Sequence, residues 1–150
     1  MTHNIDTRSA PYAALILRLA LGSMFIAHSA YLKVFVFTLA GTAAFFGKIG
    51  LPPDLAYVVC AMETLGGIAL ILGFQTRLVA AVLIPVLFGA AWAHMPNGWL
   101  FSAPGGGWEY PIFLSVAAAA QTLLGGGAFA VSNDANIEQA ARRLLQRAEA

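Results

Sequence analysis

Charge is scarce in this chain. Only 10% of its 150 residues are Asp, Glu, Lys or Arg, and the formal net charge is +1; soluble domains carry roughly a quarter. Nucleic acid is thereby excluded as a partner, because neutralising phosphates takes clustered basic side chains. Cysteine is scarcer still, with Cys60 alone in an apolar run. An internal disulfide, a CxxC redox pair and a Cys-ligated iron–sulfur or zinc site are ruled out, and Cys60 reads as a small packing residue. Haem-pair histidines and flavin motifs are absent too. No two candidate ligands share a helix at i,i+3 or i,i+4, so a metal site from His28, His94 and Glu63 or Glu109 is not expected.

What fills the chain instead is apolar, at 59% hydrophobic residues and a mean hydropathy of +0.75. These values define an all-α integral membrane protein, expected to form a four-transmembrane-helix bundle as a single domain over residues 1–150. The spans are expected at about 12–39, 54–74, 77–95 and 109–131, with an amphipathic helix at about 134–149. The apolar run from Tyr12 is too long, and too interrupted by Arg18, for a cleaved signal peptide. Gly41 to Pro53 reads as a short interfacial segment, with Phe45, Phe46 and Ile49 on the membrane surface and Pro52–Pro53 as a stop. Asp54 is placed as the N-cap of the second span. Gly73 to Thr76 reads as a tight turn, and Pro85 as a kink in the third span.

Glu63 is the one charged residue inside the second span, near its middle. A bare carboxylate there costs about 3 kcal/mol on insertion scales, so it requires a partner, a proton or water. Gly66, Gly67 and Gly73 share its side of the helix and allow close backbone approach. In the first span, Arg18, Gly22, Phe25, Ser29 and Lys33 follow one helical stripe that should face the bundle, with His28 displaced from it by roughly 80°. Counting helix rise, Glu63 comes within reach of either Arg18 or His28, at axial offsets of roughly 9 and 6 Å. Arg18, His28, Lys33 and Glu63 are therefore the candidate buried polar cluster.

The loop PNGWLFSAPGGGWEYP gathers Trp92, Trp99, Trp108 and Tyr110 around it in the manner of an interfacial belt. At its ends His94 faces Glu109, with Trp108 and Tyr110 alongside, as candidates for an outer-face ligand site. Ile137, Ala141, Leu144, Leu145 and Ala148 form an apolar stripe opposite Arg142, Arg143 and Arg147, suited to a membrane surface or a partner protein. Arg8, Arg18, Arg77, Arg142, Arg143 and Arg147 fall on one side of a four-span topology. Only Lys48 and Lys33 fall toward the other. The positive-inside rule puts both termini in the cytoplasm, with Arg77 reaching headgroups by snorkelling.

Five runs carry a resemblance: RLALGSMFIAH (Arg18–His28), GLPPDLA (Gly50–Ala56), ETLGGIALILGFQTRL (Glu63–Leu78), HMPNGW (His94–Trp99) and GGGWEYP (Gly105–Pro111). In this order they resemble the DoxX family of small four-span bacterial membrane proteins, the E-x-x-G-G…G-x-x-T-R-L run being the most specific. Many members read H-G-x-x-K, whereas here one extra residue separates His28 from Lys33 and Ser29 replaces the glycine. The resemblance implies a bacterial inner-membrane bundle associated with redox systems, as a small subunit of quinone-linked oxidoreductases or beside thiol-oxidative-stress enzymes. It implies no defined reaction and no catalytic residue.

Three classes of function are open at this point. The first is an accessory subunit that docks or anchors a membrane redox enzyme and lines a quinone or lipid pocket. The second is a transporter or channel for a solute or protons, with Glu63 titrating; four spans without an internal repeat suit it only as an oligomer. The third is an enzyme acting on a lipid or quinone at His94 and Glu109. A continuous polar path past Glu63 would favour transport.

Overall fold

The computed structural model describes residues 6–132, which hold five α-helices and, among these residues, no strand. Helix α1 runs Ala10–Ile26 with a proline in its first turn, where a missing N–H costs nothing. It passes without a break into a π-helical segment, Ala27–Val36, giving one 27-residue apolar rod. Helix α2 is Leu39–Lys48, α3 is Leu55–Leu72, α4 is Thr76–His94 and α5 is Glu109–Leu124. A 3-10 turn, Met95–Asn97, extends α4. Among the described residues three rods are long and apolar enough to cross a membrane: Ala10–Val36, Leu55–Leu72 and Thr76–Asn97.

Several expected boundaries move. The first span ends at Val36, not 39, and the expected interfacial segment is mostly helix. Thr38 starts α2 with its hydroxyl accepting the Gly41 N–H at 3.1 Å. Asp54 precedes α3, but its side chain makes no cap hydrogen bond. Helix α4 continues through Pro85 to His94. Helix α5 ends at Leu124, seven residues short of 131, because Gly125 and Gly127 take positive φ (79° and 68°). At ~1.5 Å per residue its 16 residues make roughly 24 Å, less than the ~30 Å hydrocarbon core. The amphipathic helix expected at 134–149 lies outside the described residues.

The π segment has a local cause. Ser29 Oγ donates to the Phe25 carbonyl (2.7 Å) and His28 Nδ1 bonds the Met24 carbonyl (2.9 Å). Those are the two carbonyls that the His28 and Ser29 backbone N–H groups would take in an α-helix. Side chains competing for them favour the i→i+5 pattern, seen where Phe37 N–H donates to Leu32 O at 2.8 Å.

Helices α1 and α3 pack together, as do α4 and α5, and α3 touches α4. Leu21, Phe25, Leu70, Ala80, Leu83, Leu87 and Ala118 form the shared core. The α1–α3 approach is backbone on backbone. A Cβ at Gly22 would stand 2.7 Å from the Gly67 carbonyl oxygen, and one at Gly67 would stand 2.9 Å from the Gly22 oxygen. Lipid gives helices no hydrophobic reason to associate, so this close packing replaces it. Gly89 on α4, by contrast, faces open space. Gly22→Ala should therefore cost about 1–3 kcal/mol by forcing two backbones apart, while Gly89→Ala leaves stability level or raises it. Thermal unfolding in detergent compares the two; equal effects would deny the tight seam.

Candidate functional site

The α1 stripe does face inward. Arg18, Gly22, Phe25 and Ser29 are buried, and Lys33 is partly buried. The stripe is nevertheless not one polar cluster. At one end Arg18, 1% exposed, donates from Nη1 to the carbonyls of Leu70 (3.3 Å) and Ile71 (3.0 Å), and from Nη2 to Ala128 (2.9 Å). These first two oxygens belong to the last turn of α3, where carbonyls lose their helical partners and the helix dipole is negative. Gly73, the αL residue ending α3, lies against the guanidinium with no room for a Cβ. Arg18 thus leaves the expected cluster: it meets α3 seven to eight residues past Glu63, or roughly 11 Å along the axis. Carbonyls at a helix end bind it there, Ile71 and also Leu70, which accepts the Gly73 N–H as well (3.0 Å).

Glu63 pairs instead with Lys33, whose Nζ donates to Oε2. The side chains are 6% and 22% exposed, so Glu63 is enclosed while Lys33 keeps part of its side chain at the bundle surface. Lys33 is set from several directions. Its carbonyl accepts from the buried Thr42 hydroxyl of α2 (3.1 Å), which also bonds the Thr38 carbonyl (3.0 Å). One turn back, Thr64 Oγ1 donates to Ser29 Oγ (2.9 Å), tying α3 to the π segment beside the pair. In a π-helix, residue i lies over i+5, so His28 and Lys33 stand one turn apart although they are five positions apart in the sequence. The extra residue relative to H-G-x-x-K is absorbed by the wider turn.

His28 packs against α5, its ring 5.7 Å from that of Tyr110. A carbonyl only accepts, so the bond to Met24 fixes the proton on Nδ1 and leaves Nε2 of the neutral ring as an acceptor. At the same end of the bundle the 98–108 loop is closed by its own bonds. His94 Nδ1 meets the Gly105 and Gly106 carbonyls, both at 3.1 Å, and Asn97 Nδ2 donates to the same two. Glu109 Oε1 accepts the Phe101 N–H at 2.8 Å, and Trp99 packs edge-on against Trp108, centroids 4.3 Å apart. No hydrogen bond or ion pair joins His94 to Glu109; each holds the loop.

Arg77 does not simply snorkel. Its Nη1 donates to the carbonyls of Thr122 (3.1 Å) and Leu123 (2.8 Å), at the end of α5. Two arginines thus cap the C-termini of two helices at one end of the bundle. Arg142, Arg143 and Arg147 lie outside the described residues. Among those described, no group of three His, Cys, Asp or Glu side chains comes together.

Between the Arg18 and Glu63 levels lie Leu21, Gly22, Phe25, Gly67 and Leu70, closed by the glycine contact. Along this seam no polar path joins the two ends. Sequence reasoning missed Thr42 and Thr64, whose small hydroxyls carry no charge to announce them. It missed Arg18's partners because they are backbone carbonyls, which any residue supplies.

Apolar membrane-length rods with buried interhelical polar contacts define a multi-pass α-helical membrane protein. The DoxX family profile matches residues 13–96, more than half of the chain, and the protein belongs to the DoxX family. It is 39% identical over 83 residues to a Bacillus subtilis (strain 168) protein named "Putative oxidoreductase CatD"; the match covers 55% of this chain and 60% of that relative. No solved structure matches.

The geometry predicts which pairs are coupled. A double-mutant cycle of Lys33→Met and Glu63→Leu should return a coupling of about 0.5–3 kcal/mol in detergent unfolding, whereas Arg18→Met with Glu63→Leu should be additive. Coupling in the second cycle and none in the first would reverse the assignment.

Proposed function

We propose that this chain is an inner-membrane subunit of a membrane oxidoreductase system, anchoring or docking a redox enzyme and offering a lateral site for a quinone or lipid headgroup. The observation that carries the reading is the Lys33–Glu63 pair. Its carboxylate side chain is enclosed by α1 and α3, and the Lys33 side chain is 22% exposed on a membrane-spanning rod. Lys33 holds three N–H donors and directs one to Glu63. The others suit the carbonyl oxygen of a quinone or an ester oxygen of a lipid arriving from the bilayer. The similarity to a protein named as an oxidoreductase agrees with this assignment, and a quinone would supply the electron-accepting group.

In this reading α5 forms a short fourth span, met by local thinning of the bilayer. The arginine-rich end, with both termini, then faces the cytoplasm, and Lys33 lies toward the opposite face. The apolar block between Arg18 and Glu63 speaks against conduction past Glu63. The loop bonds of His94 and Glu109 speak for a structural role there.

Purification from native membranes in mild detergent, with mass spectrometry of what remains bound, tests the proposal. A redox enzyme in fixed ratio is expected, together with quinone or lipid that Lys33→Met loses while the protein stays folded. Recovery of the chain alone, or ligand retention unchanged in Lys33→Met, would overturn it. Protease treatment of sealed inside-out vesicles should remove the termini; protection would reverse the orientation.

A further inference from the structure

We infer that the glycine-rich segment 125–130 covers a buried hydration site at the Arg18 end, where ordered water joins Arg18, Thr76 and Gln121. Three side-chain atoms have no hydrogen-bond partner among the described residues: Arg18 Nε, Thr76 Oγ1 and Gln121 Oε1. Their residues are 1%, 0% and 0% exposed. All three residues border the same short stretch of chain. Gln121 Nε2 donates to the Gly125 carbonyl at 2.7 Å. A Cβ at Gly126 would stand 3.4 Å from Thr76 Oγ1 and 2.7 Å from Ala130 Cβ. Arg18 Nη2 holds the Ala128 carbonyl, and a Cβ at Gly73 would meet both the guanidinium and Ala130. Ala130 thus links the surroundings of Arg18 to those of Thr76, and Gly125–Gly126 link Thr76 to Gln121.

The chemistry of the three atoms is complementary. Arg18 Nε is a donor, Gln121 Oε1 an acceptor, and the Thr76 hydroxyl either. Water can accept from the first, donate to the second and bond the third, which is the usual bond number of a buried water. A larger polar ligand is disfavoured because the cover is anchored on both sides. Ala128 N–H donates to the Pro11 carbonyl (2.9 Å), Val131 N–H to Leu72 (3.1 Å), and Gln75 N–H to Ser132 Oγ (2.8 Å). These bonds hold Phe129 at φ 56°, a left-handed conformation that bulky residues adopt only under constraint. The site lies apart from the Lys33–Glu63 pair and does not depend on its role.

The test is water-selective NMR on the full chain, arginine-labelled with nitrogen-15, in detergent micelles. The Arg18 Nε–H signal is recognised by elimination, with Arg8, Arg77, Arg142, Arg143 and Arg147 each replaced by Lys in turn. We expect a cross-peak from that proton to long-lived water, and a shift of the proton in both Thr76→Val and Gln121→Leu. Gln121→Glu, which keeps an acceptor oxygen, should retain the cross-peak and serves if Gln121→Leu does not fold. A missing cross-peak overturns the inference. So does one that ignores both Thr76→Val and the loss of the Gln121 acceptor.

Discussion

The Arg18 guanidinium holds the carbonyls of Leu70, Ile71 and Ala128 from a position closed to bulk solvent, and much of the bundle follows from that. In lipid, a helix end leaves carbonyls that no solvent can satisfy. An arginine on the neighbouring helix resolves the end of α3 and its own burial together. Gly73 must then be a glycine, both for its positive φ and because the guanidinium occupies the place of a Cβ. The chain after α5 must also return across the bundle end to supply Ala128. Arg77 repeats the device at the end of α5.

The same constraint gives the run from Glu63 to Leu78 a physical reading. Glu63 accepts from Lys33, and Gly66 and Gly67 let neighbouring helices approach. Gly73 ends α3 against Arg18, Thr76 opens α4 from inside the bundle, and Arg77 caps α5. Apart from Thr76, each of these satisfies a polar group or removes an obstructing side chain. The π segment belongs to this set. It carries Lys33 to Glu63 despite the extra residue after His28.

Much of the architecture was legible because hydropathy and periodicity are local properties. The membrane assignment, the inward stripe from Arg18 to Ser29 and the turn at Gly73 needed no knowledge of neighbours. The pairing was less legible. Axial counting put Glu63 opposite Arg18 or His28, but a carbonyl at a helix end attracts an arginine as effectively as a carboxylate does, and carbonyls leave no mark in a sequence. The extra residue before Lys33 looked like a disruption only while an α-helix was assumed. His94 and Glu109 looked like a pair because they bracket one loop. Each instead holds that loop's backbone, which no side-chain pattern reveals.

The central claim is that the charge inside the membrane is neutralised between Lys33 and Glu63, apart from Arg18. Solid-state NMR in lipid bilayers measures this directly, since Lys33 and Lys48 are the only lysines in the chain. With lysine Nζ labelled by nitrogen-15 and glutamate Cδ by carbon-13, one of the two lysine signals should dephase at hydrogen-bonding range. Glu63→Gln should abolish that dephasing. If neither signal dephases, or if the effect survives Glu63→Gln, the pairing at the centre of this account is wrong.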